Sequence, residues 1–228
     1  MKKNSSLKIL SIVGTSIIPF AITPLIVSCS KKGEDLSNVK MYDKNYRILF
    51  NGAGEILDYD GNATELEIPE YLENNSVTSS PYYGKRIKVK YVGDSAFKWS
   101  DQEDSGRPKL QKVTLPNSII CIYDEAFRNN ELTSIEIPDS VTEIKSNAFN
   151  SNKLNYVKLS NSLIEIYPYA FYNNLLLTQI VIPNSVTKIS VGAFENTSIK
   201  NVTLPSTCEY SSFSFPESCV VEGGKKET

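Results

Sequence analysis

Four near-copies of a 22-residue unit follow one another from Leu110, and this period decides what the chain can fold into before any other property is weighed. The first reads LQKVTLPNSIICIYDEAFRNNE from Leu110 and the second LTSIEIPDSVTEIKSNAFNSNK from Leu132. The third, LNYVKLSNSLIEIYPYAFYNNLL from Leu154, carries one extra residue, and the fourth reads LTQIVIPNSVTKISVGAFENTS from Leu177. A fifth begins IKNVTLPSTCEY at Ile199 and then leaves the pattern. Phe213, Phe215 and Pro216 read as breaking the phase, which suits a cap over the last layer. A lone coil of this length cannot bury its apolar face, so the unit of stability is the stack.

Within one unit, Leu132, Ile135 and Ile137 alternate with Ser134 and Glu136 as a short half-buried strand, which Pro138 ends because it has no donor. Asp139-Ser140 make a turn, Val141 and Ile144 point inward along a second extended piece, and Ala148-Phe149 close the coil. Stacking places Phe97, Phe127, Phe149, Phe171 and Phe194 in one aromatic column beside Ala96, Ala126, Ala148, Ala170 and Ala193. Asn130, Asn152 and Asn174 fall just before the next strand, where left-handed backbone is expected to turn the chain. An earlier copy is interrupted: LEIP at Leu66–Pro69 matches the strand and VKYVGDSAF at Val89–Phe97 the second half. About seventeen residues are therefore inserted between Tyr71 and Lys88, and eight more follow Phe97. Asp60-Gly61, between Ile56-Leu57 and Leu66-Ile68, reads as a hairpin turn.

The pattern Leu-x-x-Ile-x-Ile-Pro-x-Ser-Val-x-x-Ile-x-x-x-Ala-Phe resembles the BspA-like leucine-rich repeat of bacterial surface proteins, over about Glu55 to Pro205. The start, GEILDYDGNATELEIPEYL from Gly54, resembles the lead-in before such arrays. Two departures are Asn130, Asn152 and Asn174 where the family often has cysteine, and Ser160 in the usual proline position. The resemblance implies a right-handed leucine-rich-repeat solenoid, mainly short parallel β-strands with short helical turns, preceded by an N-terminal hairpin. It also implies a surface antigen, adhesin or host-contact role.

Met1-Lys2-Lys3 and Lys8 precede an apolar stretch from Ile9 to Val27, the grammar of a secretory signal. A membrane anchor is the rival reading, against which Pro19 and Pro24 argue. The end, Ile26-Val27-Ser28-Cys29, resembles a lipobox, which implies cleavage between Ser28 and Cys29 and acylation of Cys29. Two or more acyl chains hold a protein stably on a bilayer. The expected organisation is a signal peptide over 1–28, a flexible tether over 29–45, a solenoid over 46–205 with insertions near 71–88 and 98–109, and a cap and polar tail over 206–228. Removing 1–28 leaves 21 basic against 26 acidic side chains, a poor match to nucleic acid. Cys121, Cys208 and Cys219 remain; Cys208 and Cys219 are the nearer pair for a disulfide, and buried thiols are the plainer reading.

The chain has no histidine, so Ser-His-Asp and Cys-His catalysis and histidine metal ligation are excluded. Asp58, Asp60 and Glu65 lack calcium-loop spacing, since Ala63 and Pro69 stand where an EF-hand has glycine and glutamate. The recurring Ser118, Ser140, Ser162 and Ser185 have no base beside them and are expected to bond local backbone. Asp124-Glu125 are sequence neighbours whose side chains diverge, unlike a glycosidase pair. No catalytic, metal or cofactor site is expected; a hydrolase using carboxylates alone is the weakest alternative.

The candidate ligand surface is the outer face of the stacked first strands, read as a broad rigid sheet and carrying Lys112, Glu136, Tyr156, Lys158 and Gln179. Tyr82 and Tyr83 in the first insertion, and Trp99 at the second, are further candidates, with Trp99 equally readable as cover for the first coil. Tyr123, Tyr167, Tyr169 and Tyr172 line the far side. The function expected is a lipid-anchored, extracytoplasmic binding or adhesion module with a protein or glycan ligand. The alternative is an assembly protein organising other surface proteins of the same cell.

Overall fold

A computed structural model describes residues 39–76, 78–100 and 106–227. The leader and Cys29 lie outside the described residues. In chain order the strands are β1 (Lys40–Asp43), β2 (Ile48–Asn51), β3 (Glu55–Tyr59), β4 (Glu65–Glu67), β5 (Tyr71–Glu73), β6 (Arg86–Lys88), β7 (Tyr91–Val92) and β8 (Lys112–Thr114). They continue with β9 (Cys121–Ile122), β10 (Ser134–Glu136), β11 (Glu143–Ile144), β12 (Tyr156–Lys158), β13 (Glu165–Ile166), β14 (Lys188–Ile189), β15 (Asn201–Tyr210) and β16 (Val220–Lys226).

The second strand of every coil joins one ten-stranded sheet, in the order β1-β2-β3-β7-β9-β11-β13-β14-β15-β16. From β3 onward all pairs in this sheet are parallel, and the core positions line up from β7 to β14, Val92 beside Ile122, Ile122 beside Ile144, Ile144 beside Ile166 and Ile166 beside Ile189. Parallel strands need a long crossover, and here the crossover is the rest of the 22-residue coil. Leu110, Leu132, Leu154 and Leu177 are fully buried, as are Ile122, Ile144, Ile166 and Ile189. Burial of each such side chain stabilises by about 1.5–3 kcal/mol.

The expected aromatic column is present: Phe97, Phe127, Phe149, Phe171 and Phe194 stack with centroids 5.1 to 5.3 Å apart. Phe215 extends it at 5.3 Å from Phe194, and Phe194 N–H donates to Ser214 O at 2.7 Å as Phe171 N–H does to Ala193 O at 2.8 Å. The expected loss of phase is thus corrected: Ser214 takes the alanine position, Phe215 the phenylalanine position, and Phe213 alone turns outward. Tyr59 covers the other end of the column, tilted 39° against Phe97.

Other expectations are corrected as well. Among the described residues there is no helix; the Ala-Phe corner is a hydrogen-bonded turn, with Ala148 N–H to Lys145 O at 3.3 Å and Ala170 N–H to Tyr167 O at 3.3 Å. Its third residue has positive φ, at Glu125, Asn147, Tyr169 and Gly192. The left-handed residue before the next strand is Asn129, Ser151 or Asn173, one place earlier than expected. Asn130, Asn152 and Asn174 are instead buried bonding groups. Asn152 Nδ2 donates to Phe127 O at 2.9 Å and Phe149 O at 3.1 Å, while its Oδ1 accepts Leu132 N–H at 3.1 Å. Asn130 and Asn174 repeat the arrangement.

Asp60-Gly61 is not a hairpin turn: β3 passes to β4 in a different sheet, and β4 pairs parallel with β8. In the ten-stranded sheet the antiparallel pairs are β1 with β2 and β2 with β3, and β1 lies inside the stretch 29–45 assigned to the tether. The first insertion is itself an antiparallel hairpin, β5 with β6. Cys208 and Cys219 are free thiols. The β15–β16 register puts Leu204 beside Gly223 and Glu209 beside Lys225, which separates the two cysteines by about five residues, or roughly 16 Å, along the strands.

Candidate functional site

The first strands form a second face, and its outward residues are those that alternation puts there. Lys112, Thr114, Glu136, Tyr156, Lys158 and Gln179 are exposed, while Val113, Ile135, Val157 and Ile180 between them are buried. This face is not the continuous rigid sheet expected. β4 pairs with β8 and β10 with β12, but β8 and β10 belong to separate sheets. The strand-ending bonds Ile68 N–H to Thr114 O (3.0 Å) and Ile137 N–H to Lys158 O (2.8 Å) have no counterpart from Leu115 or Ile182 among the described residues.

The break between β8 and β10 opens a concavity of about 540 Å³ whose lining includes Lys112, Ser134, Glu136, Asp139, Ser140 and Lys158. Cations and carboxylates alternate across it. Lys158 Nζ stands 3.4 Å from Glu136, and Lys112 Nζ 4.0 Å from Glu65. The backbone N–H of Asn161 (2.9 Å) and its side-chain amide hold the Asp139 carboxyl below the usual range, so it stays anionic. A second concavity of about 470 Å³ lies between Ile180–Ile182 and β15, with Val181 83% exposed at its edge.

Of the expected ligand-surface residues, Lys112, Glu136 and Lys158 meet at the first concavity, while Tyr156 and Gln179 stand on the same face outside its lining. Tyr82, Tyr83 and Trp99 are elsewhere. Tyr82 packs on the core beneath Lys85, and Tyr83 is exposed. Trp99 is half-buried: its ring lies under Lys109 at 4.0 Å, its Nε1 donates to Arg107 O at 3.0 Å, and its backbone N–H donates to Arg128 O at 3.0 Å.

The rejected chemistry has local explanations. Asp60 accepts from Tyr42 Oη at 2.7 Å and pairs with Arg47 at 3.0 Å, and Asp124 accepts Ser146 N–H at 2.9 Å. Glu125 is held by Lys98 at 2.6 Å and by Arg128. Ser118, Ser140 and Ser185 do not bond local backbone as expected: their buried hydroxyl oxygens have no hydrogen-bond partner. Ser160 is the serine that bonds, donating to Val141 O at 2.7 Å. Sequence reasoning misses Asp139 and Ser140 as lining residues, since each reads only as a turn residue of its own coil.

Residues 90–219 match the BspA type leucine rich repeat region in six copies. No curated protein matches the sequence. Among solved structures, a leucine rich repeat protein of T. pallidum (TpLRR) is similar at 23% identity and a TM-score of 0.59, over 87% of this chain and 84% of that one. The pneumococcal vaccine antigen PcpA is similar at 21% identity and a TM-score of 0.61, over 82% of this chain and 50% of that one. At these identities the likeness is one of fold.

Proposed function

The chain belongs to the BspA-type leucine-rich repeat family, and from that premise we propose that it is a lipid-anchored bacterial surface protein whose right-handed solenoid binds a protein or glycan without catalysis. The family suggests protein binding or adhesion. The observation that carries the reading is the break between β8 and β10, which sets Lys112, Glu136, Asp139 and Lys158 around an open concavity. Unladdered backbone and mixed charge suit many shared polar contacts. Anchoring rests on Ser28-Cys29 and the charged, apolar leader before them.

The test is binding of the purified protein to host cells and to arrays of matrix proteins and glycans. Saturable binding that weakens in Lys112→Ala, Tyr156→Ala and Lys158→Ala, and survives Trp99→Phe, is the expected result. Binding to nothing foreign, with a partner co-purifying from the cell's own membrane, would replace adhesion by the assembly role. A Cys29→Ala chain that stays acylated would remove the anchoring reading.

A further inference from the structure

The first insertion carries a charge pattern unlike the rest of the chain. From Asn74 to Gly93 there is no acidic residue, yet Lys85, Arg86, Lys88 and Lys90 fall within six positions, in a protein of formal charge −2. The β5–β6 hairpin presents them outward: residues 83–86 are exposed, with Tyr83 at 49% and Tyr71 at 40%. Arg86 and Lys88 both lie against the Tyr71 ring, at 5.1 and 5.8 Å, so the cations are held in a fixed group. Lys88 pairs with Glu70 at 2.8 Å; among the described residues no carboxylate lies within ion-pair distance of Lys85, Arg86 or Lys90.

The hairpin is fastened to the strand where the described chain begins. Glu73 N–H donates to Asp43 Oδ2 at 2.9 Å, Asn75 N–H to Tyr42 O at 3.3 Å, and Lys44 N–H to Asn75 Oδ1 at 2.9 Å. β1 adds the exposed Lys40, and the turn after it the exposed Lys44, on the same end. From Cys29 to Val39 the chain spans at most about 35 Å when fully extended. The far strand β16 stands nine strand spacings from β1, about 40 Å away. An anchor at Cys29 therefore joins the chain to the bilayer at the end that carries the basic hairpin, through a tether long enough for the hairpin to reach the surface, with the opposite end about 40 Å farther along the solenoid.

We propose that the β5–β6 hairpin, through Lys85, Arg86, Lys88 and Lys90, docks on the anionic phosphate headgroups of the membrane that anchors the chain, standing the solenoid on its N-terminal end. This inference rests on the anchoring reading above. Docking would hold the first-strand face clear of the bilayer, and its strength would fall with salt.

The full chain, extracted from membranes and reconstituted in vesicles of phosphatidylcholine alone or with phosphatidylglycerol, is pulsed with an amine-acetylating reagent. Labelling at Lys85, Lys88 and Lys90 is expected to fall about threefold or more with phosphatidylglycerol at low salt, with Lys200 and Lys226 unchanged, and to recover at high salt. In the Lys85→Glu/Lys90→Glu variant, whose altered side chains are exposed, Lys88 should lose that protection while the melting temperature holds. Equal labelling in the two vesicle types, or equal protection at Lys200 and Lys226, would overturn the proposal. The mass of the N-terminal peptide reports acylation separately: a missing acyl group removes the anchoring reading, while the lysine pattern still decides for or against the hairpin.

Discussion

The two faces of the coil are built from the same alternation of buried Ile, Val and Leu, yet only one closes into a continuous sheet. On the second-strand face the ladder runs coil to coil: Thr142 N–H to Ile120 O, Ile164 to Thr142, Thr187 to Ile164 and Glu209 to Thr187, all at 2.8 to 3.0 Å. On the first-strand face strand pairing is confined to β4 with β8 and β10 with β12; between β8 and β10 the bonds are those just before the strands, Glu131 N–H to Leu110 O at 2.9 Å and Thr133 N–H to Gln111 O at 3.2 Å. Apolar patterning does not separate the two faces, because both bury their inward residues; the residues just past each strand do. Pro69, Pro116 and Pro138 stand two residues past the ends of β4, β8 and β10, and each removes a donor. After the second strand the corner keeps bonding, each Phe N–H to the next coil's Ala carbonyl and each buried Asn to the coil before it. The stitched face holds the stack, and the open face leaves polar groups at its surface.

The largest effect should come from cutting a stitch. Asn152→Leu keeps volume but leaves Leu132 N–H unpaired inside the protein and takes one of two amide donors from each of Phe127 O and Phe149 O, which keep Asn130 and Asn174. At about 1–3 kcal/mol for the buried orphan and about 0.5–1.5 kcal/mol for each of the two bonds lost at the carbonyls, a loss of roughly 4 kcal/mol is expected in urea unfolding. A midpoint within error of the parent would show that water or a shifted backbone replaces the amide, and that the column does not hold the coils. Next is Phe149→Ala, which opens a gap in the ring stack for a cost of about 3–5 kcal/mol.

A matched pair of prolines tests the contrast itself. Thr142→Pro removes the 3.0 Å bond to Ile120 O on the stitched face and should cost about 3 kcal/mol. Thr178→Pro falls where the first-strand ladder is absent and should cost under about 1 kcal/mol. Equal losses would mean that the first strands are bonded in solution and the face is not open.

Much of this architecture is legible from periodicity. The spacing of Phe97, Phe127, Phe149, Phe171 and Phe194 is enough to stack them, since a buried ring recurring once per coil has one place to go. The features that escape are choices that leave the hydrophobic pattern unchanged. Asn129 and Asn130 both suit a turn by residue type, and only the fold shows that the first takes the positive φ and the second the buried bonds. Phe215 is obscured because Ser214 replaces the alanine that marks the corner elsewhere. The concavity is not legible at all: it depends on a ladder that fails between β8 and β10, and Leu115 and Ile137 look alike in sequence.

The smallest effect separates the ion pairs of the two faces. Burial works against ionisation of Glu125, but hydrogen bonds from Lys98 and Arg128 outweigh it and bring the carboxyl below its ordinary value. A carboxylate with a lowered folded pKa stabilises the protein fully above its unfolded pKa, and that contribution is lost as pH falls through the folded value. Stability should therefore drop below about pH 4.5 with a share, of order 1 kcal/mol or less for a partly exposed group, that Glu125→Gln removes. Glu136 pairs with Lys158 in the open, both side chains more than half exposed, where screening and side-chain entropy cancel most of the attraction. Glu136→Gln should change stability in urea unfolding at neutral pH by well under about 1 kcal/mol. If it costs as much as Glu125→Gln does, the open face contributes to holding the stack, and the division of labour between the two faces is wrong.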